Sequence, residues 1–245
     1  MTLFAVILAA AGKSSRFKDT QFKKAFAPLD GKAVWLHSVD HFVNRADVGQ
    51  VIVAIAAEDR QEFMERFGAN IAVLGIEVVL GGETRADTVQ RALAKVRDEF
   101  EYVVVHDAAR PCVAAVWIDE VFAAAQKVGA AILANPIVGT IKRVDGGRIR
   151  ETVSRDGLWE AQTPQVFRLK LLLDAYAKRG DFHPTDEAQL IEHFDGEVAI
   201  VTASAANLKI TTKEDLALAK YALQALPKPK EILPSHPFAD DDLWR

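Results

Sequence analysis

The sequence has very little cysteine and no long apolar run, and both absences narrow what the protein can be. Its one cysteine, Cys112, has no intrachain disulfide partner and cannot build a thiolate metal cage, which is typical of a reducing compartment. No apolar stretch approaches the roughly 20 residues needed to span a bilayer. The apolar start lacks the basic segment of a signal peptide, so we interpret it as a strand. We therefore expect a cytoplasmic protein with no membrane partner.

A strong excess of one charge is also missing. The 245 residues contain 30 Lys and Arg against 34 Asp and Glu, a net charge of −4. Part of the acidic surplus is the run Asp240 to Asp242 near the C-terminus. A nucleic-acid-binding surface is normally basic, so no nucleic-acid partner is expected.

Two familiar glycine motifs are absent from the first apolar segment and the loop that follows it. A Walker loop requires glycine five residues before Gly12-Lys13, where this chain has Ile7. The dinucleotide fingerprint requires glycines where Ser14 and Phe17 stand. The missing glycines argue against a P-loop nucleoside triphosphatase and against an NAD-dependent oxidoreductase.

What is present is a regular alternation of short apolar segments with segments of helical periodicity. This pattern predicts an α/β fold, Rossmann-like, with a mostly parallel twisted sheet flanked by helices. Strands are predicted near residues 3–8, 51–56, 77–80, 102–105, 131–134, 198–201 and 208–210. Helices are predicted near residues 33–44, 59–67, 84–100, 116–128, 169–178, 185–193 and 212–226.

One segment departs from that rhythm. Residues 137–161 contain two β-type segments, 140–144 and 148–153, joined by Asp145-Gly146-Gly147, a typical hairpin turn. We expect a β-hairpin arm protruding from a single domain of residues 1–226, followed by an extended or disordered tail at residues 227–245.

The loop after the first strand is small and then strongly basic. Ala9-Ala10-Ala11-Gly12 precedes five cations against one acid, Asp19. The cations are Lys13, Arg16, Lys18, Lys23 and Lys24. Small residues leave backbone amides free for oxygen ligands and cations neutralise polyphosphate, so the loop could bind a triphosphate, or it could be an ordinary charged surface loop.

Two further places follow predicted strands, where parallel sheets bind ligands. Gly81-Gly82 lies before a helix, and it could approach a ligand or simply form a tight turn with Thr84 as N-cap. His106-Asp107 ends an apolar strand. Asp107 could hold Mg²⁺ or accept a substrate hydroxyl, and His106 is interpreted as a structural residue.

These motifs occur together in an order that resembles the 2-C-methyl-D-erythritol 4-phosphate cytidylyltransferases of the non-mevalonate isoprenoid pathway. The resemblance spans residues 3–226 and is carried by A-A-G-x-x-x-R-F at residues 10–17, K-A-F at 24–26, G-G-E-T-R-A-D-T-V at 81–89, H-D-A-A-R-P at 106–111, V-S-R-D-G-L-W at 153–159, Q-T-P-Q at 162–165, T-D-E-A at 185–188 and N-L-K-I-T at 207–211.

The resemblance implies transfer of CMP from CTP to 2-C-methyl-D-erythritol 4-phosphate, which gives 4-diphosphocytidyl-2-C-methyl-D-erythritol and pyrophosphate, with Mg²⁺ or another divalent cation. It assigns transition-state stabilisation to Arg16 and Lys24, and acceptor positioning to Arg155 and Lys209. It implies CTP binding by Ala10, Ala11, Gly12, Gly81, Gly82, Thr88 and Asp107, and acceptor binding by Asp107, Arg110, Thr140, Arg155 and Thr163. It also implies a homodimer in which the arm reaches the partner's active site.

The chain departs from the family pattern at two positions. Ser14 stands where a second glycine is common, and Lys23 where proline is common before the catalytic lysine. Because both cations remain, we expect a slightly altered CTP affinity and no loss of activity.

Two alternatives stay open. One is a cytidylyltransferase for ribitol 5-phosphate or a similar polyol phosphate, and the other is a catalytically silent nucleotide sensor. A zinc site at His37 and His41 is not expected, since this helical pair lacks an evident third ligand.

Overall fold

The computed structural model describes residues 3–12, 14, 16–17 and 22–227. The strands are β1 (Phe4–Ala9), β2 (Pro28–Leu29), β3 (Lys32–Ala33), β4 (Val48–Ile55), β5 (Glu77–Leu80), β6 (Tyr102–Asp107), β7 (Ala130–Pro136), β8 (Ile141–Asp145), β9 (Arg148–Val153), β10 (Trp159–Arg168) and β11 (Ala199–Thr202). The helices are α1 (Val34–Val43), α2 (Arg60–Leu74), α3 (Arg85–Leu93), α4 (Ala115–Val128), α5 (Leu169–Lys178), α6 (Glu187–Glu192) and α7 (Lys213–Ala225), with a 3₁₀ turn at Ala57–Asp59.

Seven strands form one sheet in the order β11-β7-β10-β6-β1-β4-β5. All neighbours are parallel except β10, which runs antiparallel to both β6 and β7. The prediction of an α/β fold with a mostly parallel sheet is therefore confirmed. The carboxyl ends of β1, β5 and β6 meet at one edge, where the loops predicted to bind ligand begin.

Helices cover both faces of the sheet, which explains why most of its strands are largely apolar. Side chains alternate along β1, with Val6 and Leu8 packed on one face and Ile7 on the other. The first face is covered by α1, α2 and α4, and the second by α3, α5 and α6. The sheet is thus a buried platform that holds its strand ends in fixed positions.

Strand β10 was not predicted, because Gln162, Thr163 and Gln165 are polar and Pro164 cannot donate to a ladder. The strand accommodates the proline because its pairing with β7 shifts register between Ala161 and Gln165. All three polar side chains are buried and hydrogen-bonded.

Helix α3 is shorter than the predicted helix of residues 84–100. The Gln50 side chain donates to Lys95 O (2.9 Å) and accepts from Arg97 N–H (3.0 Å) just beyond the end of α3. These bonds give non-helical backbone groups partners from β4, so the chain leaves the helix at Leu93. Helix α2 is longer than predicted and ends at Gly75 in the left-handed region.

The prediction of a strand at residues 208–210 was wrong. The segment has no regular structure, and Ile210 is instead held by one bond from its N–H to Ala109 O (2.8 Å). Its side chain is buried beside α7.

The predicted arm is present as the hairpin β8–β9, outside the main sheet. Gly146 and Gly147 form its turn with φ of 55° and 74°, and two positive φ values are what a two-residue type I′ turn requires. The tail beyond residue 227 lies outside the described residues. Within the described part of the chain, no helix is long and apolar enough to cross a membrane.

Candidate active site

A cavity of about 370 Å³ opens at the carboxyl edge of the sheet, where the sequence placed the nucleotide. Its lining comes from five separate stretches of the chain. They contribute Ala9, Ala10, Ala11, Gly12, Ser14, Lys23, Lys24, Ala25, Gly82, Glu83, Thr84, Arg85, Thr88, Asp107, Ala108, Ala109 and Lys209. We refer to it as the nucleotide cavity.

The two glycines after β5 are required by close packing. A Cβ on Gly81 would lie 2.6 Å from Ala11 Cβ, and one on Gly82 would lie 2.4 Å from Asp87 Cβ. The Thr88 hydroxyl accepts from Gly82 N–H (3.1 Å) and donates to Thr84 O (2.9 Å). Thr88 therefore fixes the backbone of this wall of the cavity.

Thr84 begins α3 with a capping box, as the turn interpretation predicted. Its hydroxyl accepts from Asp87 N–H (3.1 Å), while Oδ2 of Asp87 accepts from Thr84 N–H (3.2 Å). The Arg179 guanidinium, with the Thr84 hydroxyl, lowers the pKa of Asp87 to about 2. The segment is thus a capped turn that also lines the cavity.

Lys24 lies on the opposite side of the nucleotide cavity. Burial lowers its pKa, and the nearby charges of Lys209 and Arg16 lower it further. Its backbone N–H donates to Ser14 Oγ at 3.3 Å. Ser14 has φ of 52°, a conformation that the glycine common at this position in the family would adopt without strain.

Lys23 also belongs to the lining, and its ammonium group contacts the 3₁₀ turn that precedes α2. Its Nζ lies 2.5 Å from Asp59 Oδ1 and 3.6 Å from Glu58 Oε1. The Asp59 side chain is almost completely buried. The two departures from the family pattern, Ser14 and Lys23, therefore both make contacts that hold the segment carrying Lys24.

Asp107 is the centre of charge in the site. Lys209 Nζ lies 2.5 Å from Oδ2, and Arg85 Nε lies 3.4 Å from Oδ1. Burial by itself raises the pKa of this carboxyl, but Arg85 and Lys209 together hold it well below its usual range. Asp107 is therefore ionised at neutral pH.

A second cavity, of about 220 Å³, adjoins the first. Its lining contains the sequence-predicted acceptor residues Asp107, Arg110, Thr163 and Lys209. The remaining lining residues are Arg85, Ala161, Gln162, Gln165, Thr185 and Asp186. We refer to it as the acceptor cavity.

Arg110 and Thr163 are tied into the fold as well as into this lining. Arg110 is buried and donates from Nη1 to Asn207 O at 2.6 Å, and burial lowers its pKa. The Thr163 hydroxyl accepts from Asp107 N–H at 3.0 Å. Thr163 lies in β10 beyond the arm segment of residues 137–161, and its side chain contacts Asp107 and His106 of its own chain.

His106 is fully buried below these residues. Arg110 O can only accept, so His106 Nε2, 3.0 Å away, carries the proton. Nδ1 then accepts from the Thr163 hydroxyl at 3.0 Å. Burial lowers the pKa of His106 to about 3, so it is a neutral structural residue at physiological pH.

Four of the predicted site residues that the structure describes lie in neither lining. Gly81 is one, although its neighbour Gly82 lines the nucleotide cavity. Arg16 is exposed, although its charge reaches Lys24. Thr140 and Arg155 are exposed on the arm, and Arg155 donates from Nη1 to Val138 O. Lys13 and Lys18 lie outside the described residues.

His37 and His41, the pair with metal-ligand spacing, are engaged elsewhere. His37 Nε2 donates to Leu29 O at 2.7 Å and His41 Nε2 donates to Pro111 O at 2.9 Å. The described residues contain no group of three His, Cys, Asp or Glu side chains arranged to hold a metal ion. A single carboxylate such as Asp107 remains compatible with Mg²⁺ carried by a triphosphate.

Sequence reasoning assigned no role to Arg85, Glu187 or Tyr176. Arg85 donates from Nη1 to both Glu187 carboxylate oxygens at 2.8 Å, and Tyr176 donates to Glu187 Oε1 at 3.1 Å. Arg85 and Glu187 lie in two motifs of the family resemblance, at residues 81–89 and 185–188, and this membership was the sequence signal that could have identified them. Their contact joins positions 102 residues apart, and no local pattern encodes it.

Comparison with known proteins agrees with this geometry. The family model described as "IspD: 2-C-methyl-D-erythritol 4-phosphate cytidylyltransferase" matches residues 4–225. The chain is 42% identical over 229 residues to the protein of that name from Rhodopirellula baltica, covering 89% of this chain and 93% of that protein. It is 39% identical over 225 residues to the Bacillus velezensis enzyme, covering 91% and 96%.

A solved structure supports the same assignment. The 2-C-methyl-D-erythritol 4-phosphate cytidylyltransferase from Thermus thermophilus superposes with a TM-score of 0.76 at 31% identity, over 91% of this chain and all of that one. The match extends over the sheet, both cavities and the arm of this chain. The chain belongs to the family of 2-C-methyl-D-erythritol 4-phosphate cytidylyltransferases.

Proposed function

We propose that this protein transfers the cytidylyl group of CTP to 2-C-methyl-D-erythritol 4-phosphate and releases pyrophosphate. Family membership supports the reaction. The observation that carries it is the meeting of two cavities at one cationic edge of the sheet. Lys24 lines the nucleotide cavity and Lys209 lines both.

In the proposed step, a phosphate oxygen of the acceptor forms a bond to the α-phosphorus of CTP. The bond from that phosphorus to the oxygen bridging the β-phosphate breaks, and the electron pair leaves with pyrophosphate. The attacking phosphate is already ionised, so no general base is needed. Positioning and fixed positive charge must therefore supply the acceleration.

Lys24 and Arg16 have the role of stabilising charge on the α-phosphate. Lys24 lines the nucleotide cavity. Burial lowers its pKa most, and the charges of Lys209 and Arg16, which a polyphosphate would neutralise, lower it further. Arg16 provides a second cation near Lys24 and has the planar geometry to hold two phosphate oxygens.

CTP binding is assigned to the small residues that follow β1 and β5. Ala10, Ala11 and Gly12 allow the backbone to approach the phosphates, and Gly81-Gly82 offers backbone groups to the cytosine ring. Thr88 supports that segment through its bond to Gly82.

Asp107 is the residue that would hold Mg²⁺. It is ionised and lies in the nucleotide cavity, and Mg²⁺ commonly takes one or two carboxylates together with substrate phosphates. The ion would neutralise triphosphate charge. Within the chain, Lys209 and Arg85 keep the carboxylate ionised whether or not a cation is bound.

The acceptor is assigned to the second cavity, with Arg110, Thr163 and Lys209 in its lining. Thr140 and Arg155 would act on the partner's site in a homodimer. The arm supports this role, because Val138, Val144, Ile149 and Trp159 expose 77%, 57%, 63% and 41% of their surfaces. Apolar surface of this kind commonly marks an interface.

We place the reaction in the cytoplasm, as the single buried and free Cys112 suggests. A ribitol 5-phosphate cytidylyltransferase would need the same cationic groups, and small differences in an acceptor discriminate weakly. A silent sensor would bind CTP without turnover.

The test is pyrophosphate release from CTP with 2-C-methyl-D-erythritol 4-phosphate or ribitol 5-phosphate, each with and without Mg²⁺. We expect release with the first acceptor, dependent on Mg²⁺ and lost in Lys24→Met. Lys170→Met, which removes an exposed lysine that pairs with Asp174, is the matched control. Faster turnover with ribitol 5-phosphate would show that ribitol 5-phosphate is the acceptor. CTP binding without pyrophosphate release would favour the catalytically silent sensor.

A further inference from the structure

Three residues line both cavities: Arg85, Asp107 and Lys209. They are also joined to one another, because Asp107 contacts Arg85 through Oδ1 and Lys209 through Oδ2. In the proposed reaction the acceptor's phosphate oxygen must reach the α-phosphorus of CTP. The junction formed by these three residues is where the two substrates must meet.

Arg85 has a donor left over at this junction. Its Nη1 is committed to Glu187 and its Nε to Asp107. Its Nη2 has no hydrogen-bond acceptor among the residues that the structure describes, and a quarter of the side chain (26%) is exposed. Because Arg85 lines both cavities and its guanidinium is fixed at two nitrogens, Nη2 is the nitrogen that remains available to a substrate.

Glu187 cannot contact a substrate itself. Its side chain is 1% exposed, and it does not belong to the lining of either cavity. It holds Arg85 by two bonds of 2.8 Å and accepts from the Tyr176 hydroxyl at 3.1 Å. Helices α5 and α6, which carry Tyr176 and Glu187, thus fix the direction of the Arg85 side chain.

We propose that Arg85 binds an oxygen of the acceptor polyol phosphate through Nη2, and that Glu187, held by Tyr176, is the positioning residue that aims it. This role rests on the proposed function, since it presumes that the acceptor occupies the second cavity. It adds one more substrate-facing cation to those already assigned, placed where the nucleophile approaches.

A lysine could not perform this task. Lysine is a point charge on a flexible stem, whereas arginine offers donors in a rigid plane. One ammonium group would be drawn to the buried Glu187 carboxylate and would leave the junction without its donor. Arg85→Lys therefore keeps the charge and removes the contact.

The experiment measures kcat and separate KM values for CTP and 2-C-methyl-D-erythritol 4-phosphate in Arg85→Lys, Glu187→Gln and Tyr176→Phe. Arg45→Lys is the matched control. Arg45 also binds two carboxylates, Asp47 and Asp119, and its side chain is 20% exposed, but it lines neither cavity. Melting temperatures are recorded for every variant.

We expect the acceptor KM to rise about tenfold in Arg85→Lys, the loss typical of one charge-assisted hydrogen bond, while the KM for CTP stays within about twofold. Glu187→Gln should shift the acceptor KM in the same direction, and Tyr176→Phe less. Arg45→Lys should change neither KM. A purely structural role for Arg85 would lower stability or kcat without separating the two KM values.

An unchanged acceptor KM in a folded Arg85→Lys protein would overturn the proposal. So would equal shifts in both KM values, or a shift in Arg85→Lys with none in Glu187→Gln. If Glu187→Gln does not fold, Tyr176→Phe tests the positioning part. Failure of the proposed function would be recognised separately, because the unmutated protein would then show no turnover with this acceptor.

Discussion

The ammonium group of Lys23 lies 2.5 Å from the buried carboxylate of Asp59. This ion pair fastens the residue before Lys24 to the 3₁₀ turn that precedes α2. The other Asp59 oxygen, Oδ2, has no hydrogen-bond partner in the part of the chain that the structure describes. Lys23 therefore compensates a charge that would otherwise be buried alone.

We expect Lys23→Met to lower the free energy of unfolding by about 2 kcal/mol, because it leaves the buried Asp59 carboxylate without its cation. This value is smaller than for a fully buried pair, because the Lys23 side chain is partly exposed to solvent. Lys23→Met combined with Asp59→Asn should be less destabilised than the two single changes summed. Urea denaturation of all four proteins measures this. Additive losses would show that the pair contributes no coupling.

The close packing at Gly82 predicts a strong local effect. Gly82→Ala places a Cβ 2.4 Å from Asp87 Cβ and 3.0 Å from the Asp87 backbone, so the segment must move. We expect a loss of about 1–3 kcal/mol in stability and weaker CTP binding, measured by calorimetry. Gly68→Ala is the control, because apart from its chain neighbours and the backbone of its own helix no described atom lies within 4 Å of the added Cβ. It should stabilise α2 by about 0.5–1 kcal/mol. Equal behaviour of both variants would contradict the packing argument.

The environment of Lys24 predicts an alkaline limit to activity. Burial, Lys209 and Arg16 lower its pKa below 10.5, while Asp107 opposes them. The cation is present at neutral pH and is lost as pH rises through that lowered pKa, so kcat/KM for CTP should fall before pH 10.5. Lys24→Arg, whose side chain stays charged, should shift the alkaline fall in kcat/KM to higher pH.

Removal of the Lys24 charge should act on catalysis more than on binding. We expect Lys24→Met to lower kcat by about 10²–10³, the usual cost of losing a preorganised electrostatic group, with a smaller change in CTP affinity. Steady-state kinetics beside direct CTP titration separate the two effects. A variant with unchanged kcat would remove Lys24 from the chemical step.

His106 predicts a pH dependence of stability. Its pKa is about 3 in the folded protein and about 6.5 when unfolded, so the unfolded state binds the extra proton. The stability due to neutral burial is complete above about pH 6.5 and is lost as pH falls toward 3. Between pH 7 and pH 5 this amounts to about 2 kcal/mol.

His106→Gln should reduce that loss, because an amide can bond Arg110 O and the Thr163 hydroxyl without titrating. Urea denaturation at the two pH values gives the comparison. His41, whose pKa burial also lowers, should retain a smaller dependence in the variant. An unchanged difference between the two pH values would contradict the role of His106.

The proposed exchange of arms predicts complementation between inactive variants. Lys24→Met damages the body of a site, and Arg155→Ala damages the arm supplied to the partner's site. Mixed dimers from a refolded 1:1 mixture hold one intact site each, so about a quarter of wild-type activity should return. The control is Lys24→Met refolded in the same way without Arg155→Ala, which should recover no activity. No recovery, or a monomer by light scattering, would reject the shared site.

The sequence by itself determined the elements whose signals are local. Apolar runs of strand length alternating with helical periodicity predicted six strands of the sheet and its helical layers, and Asp145-Gly146-Gly147 predicted the arm. Lys24, Asp107 and Lys209 were found because their motifs follow strand ends or match the family pattern, and the structure places them in one cavity.

Only the tertiary structure decided how distant segments share hydrogen bonds. Polar β10 lies between β6 and β7 because Thr163 and Gln165 find partners in Asp107, 56 residues away, and in Asp186 and Ala188. Arg85 becomes a residue of the cavity junction because Glu187 reaches it from α6. A local pattern records which residues favour a strand or helix, whereas the energy of a buried polar group depends on partners that only the folded chain brings into contact.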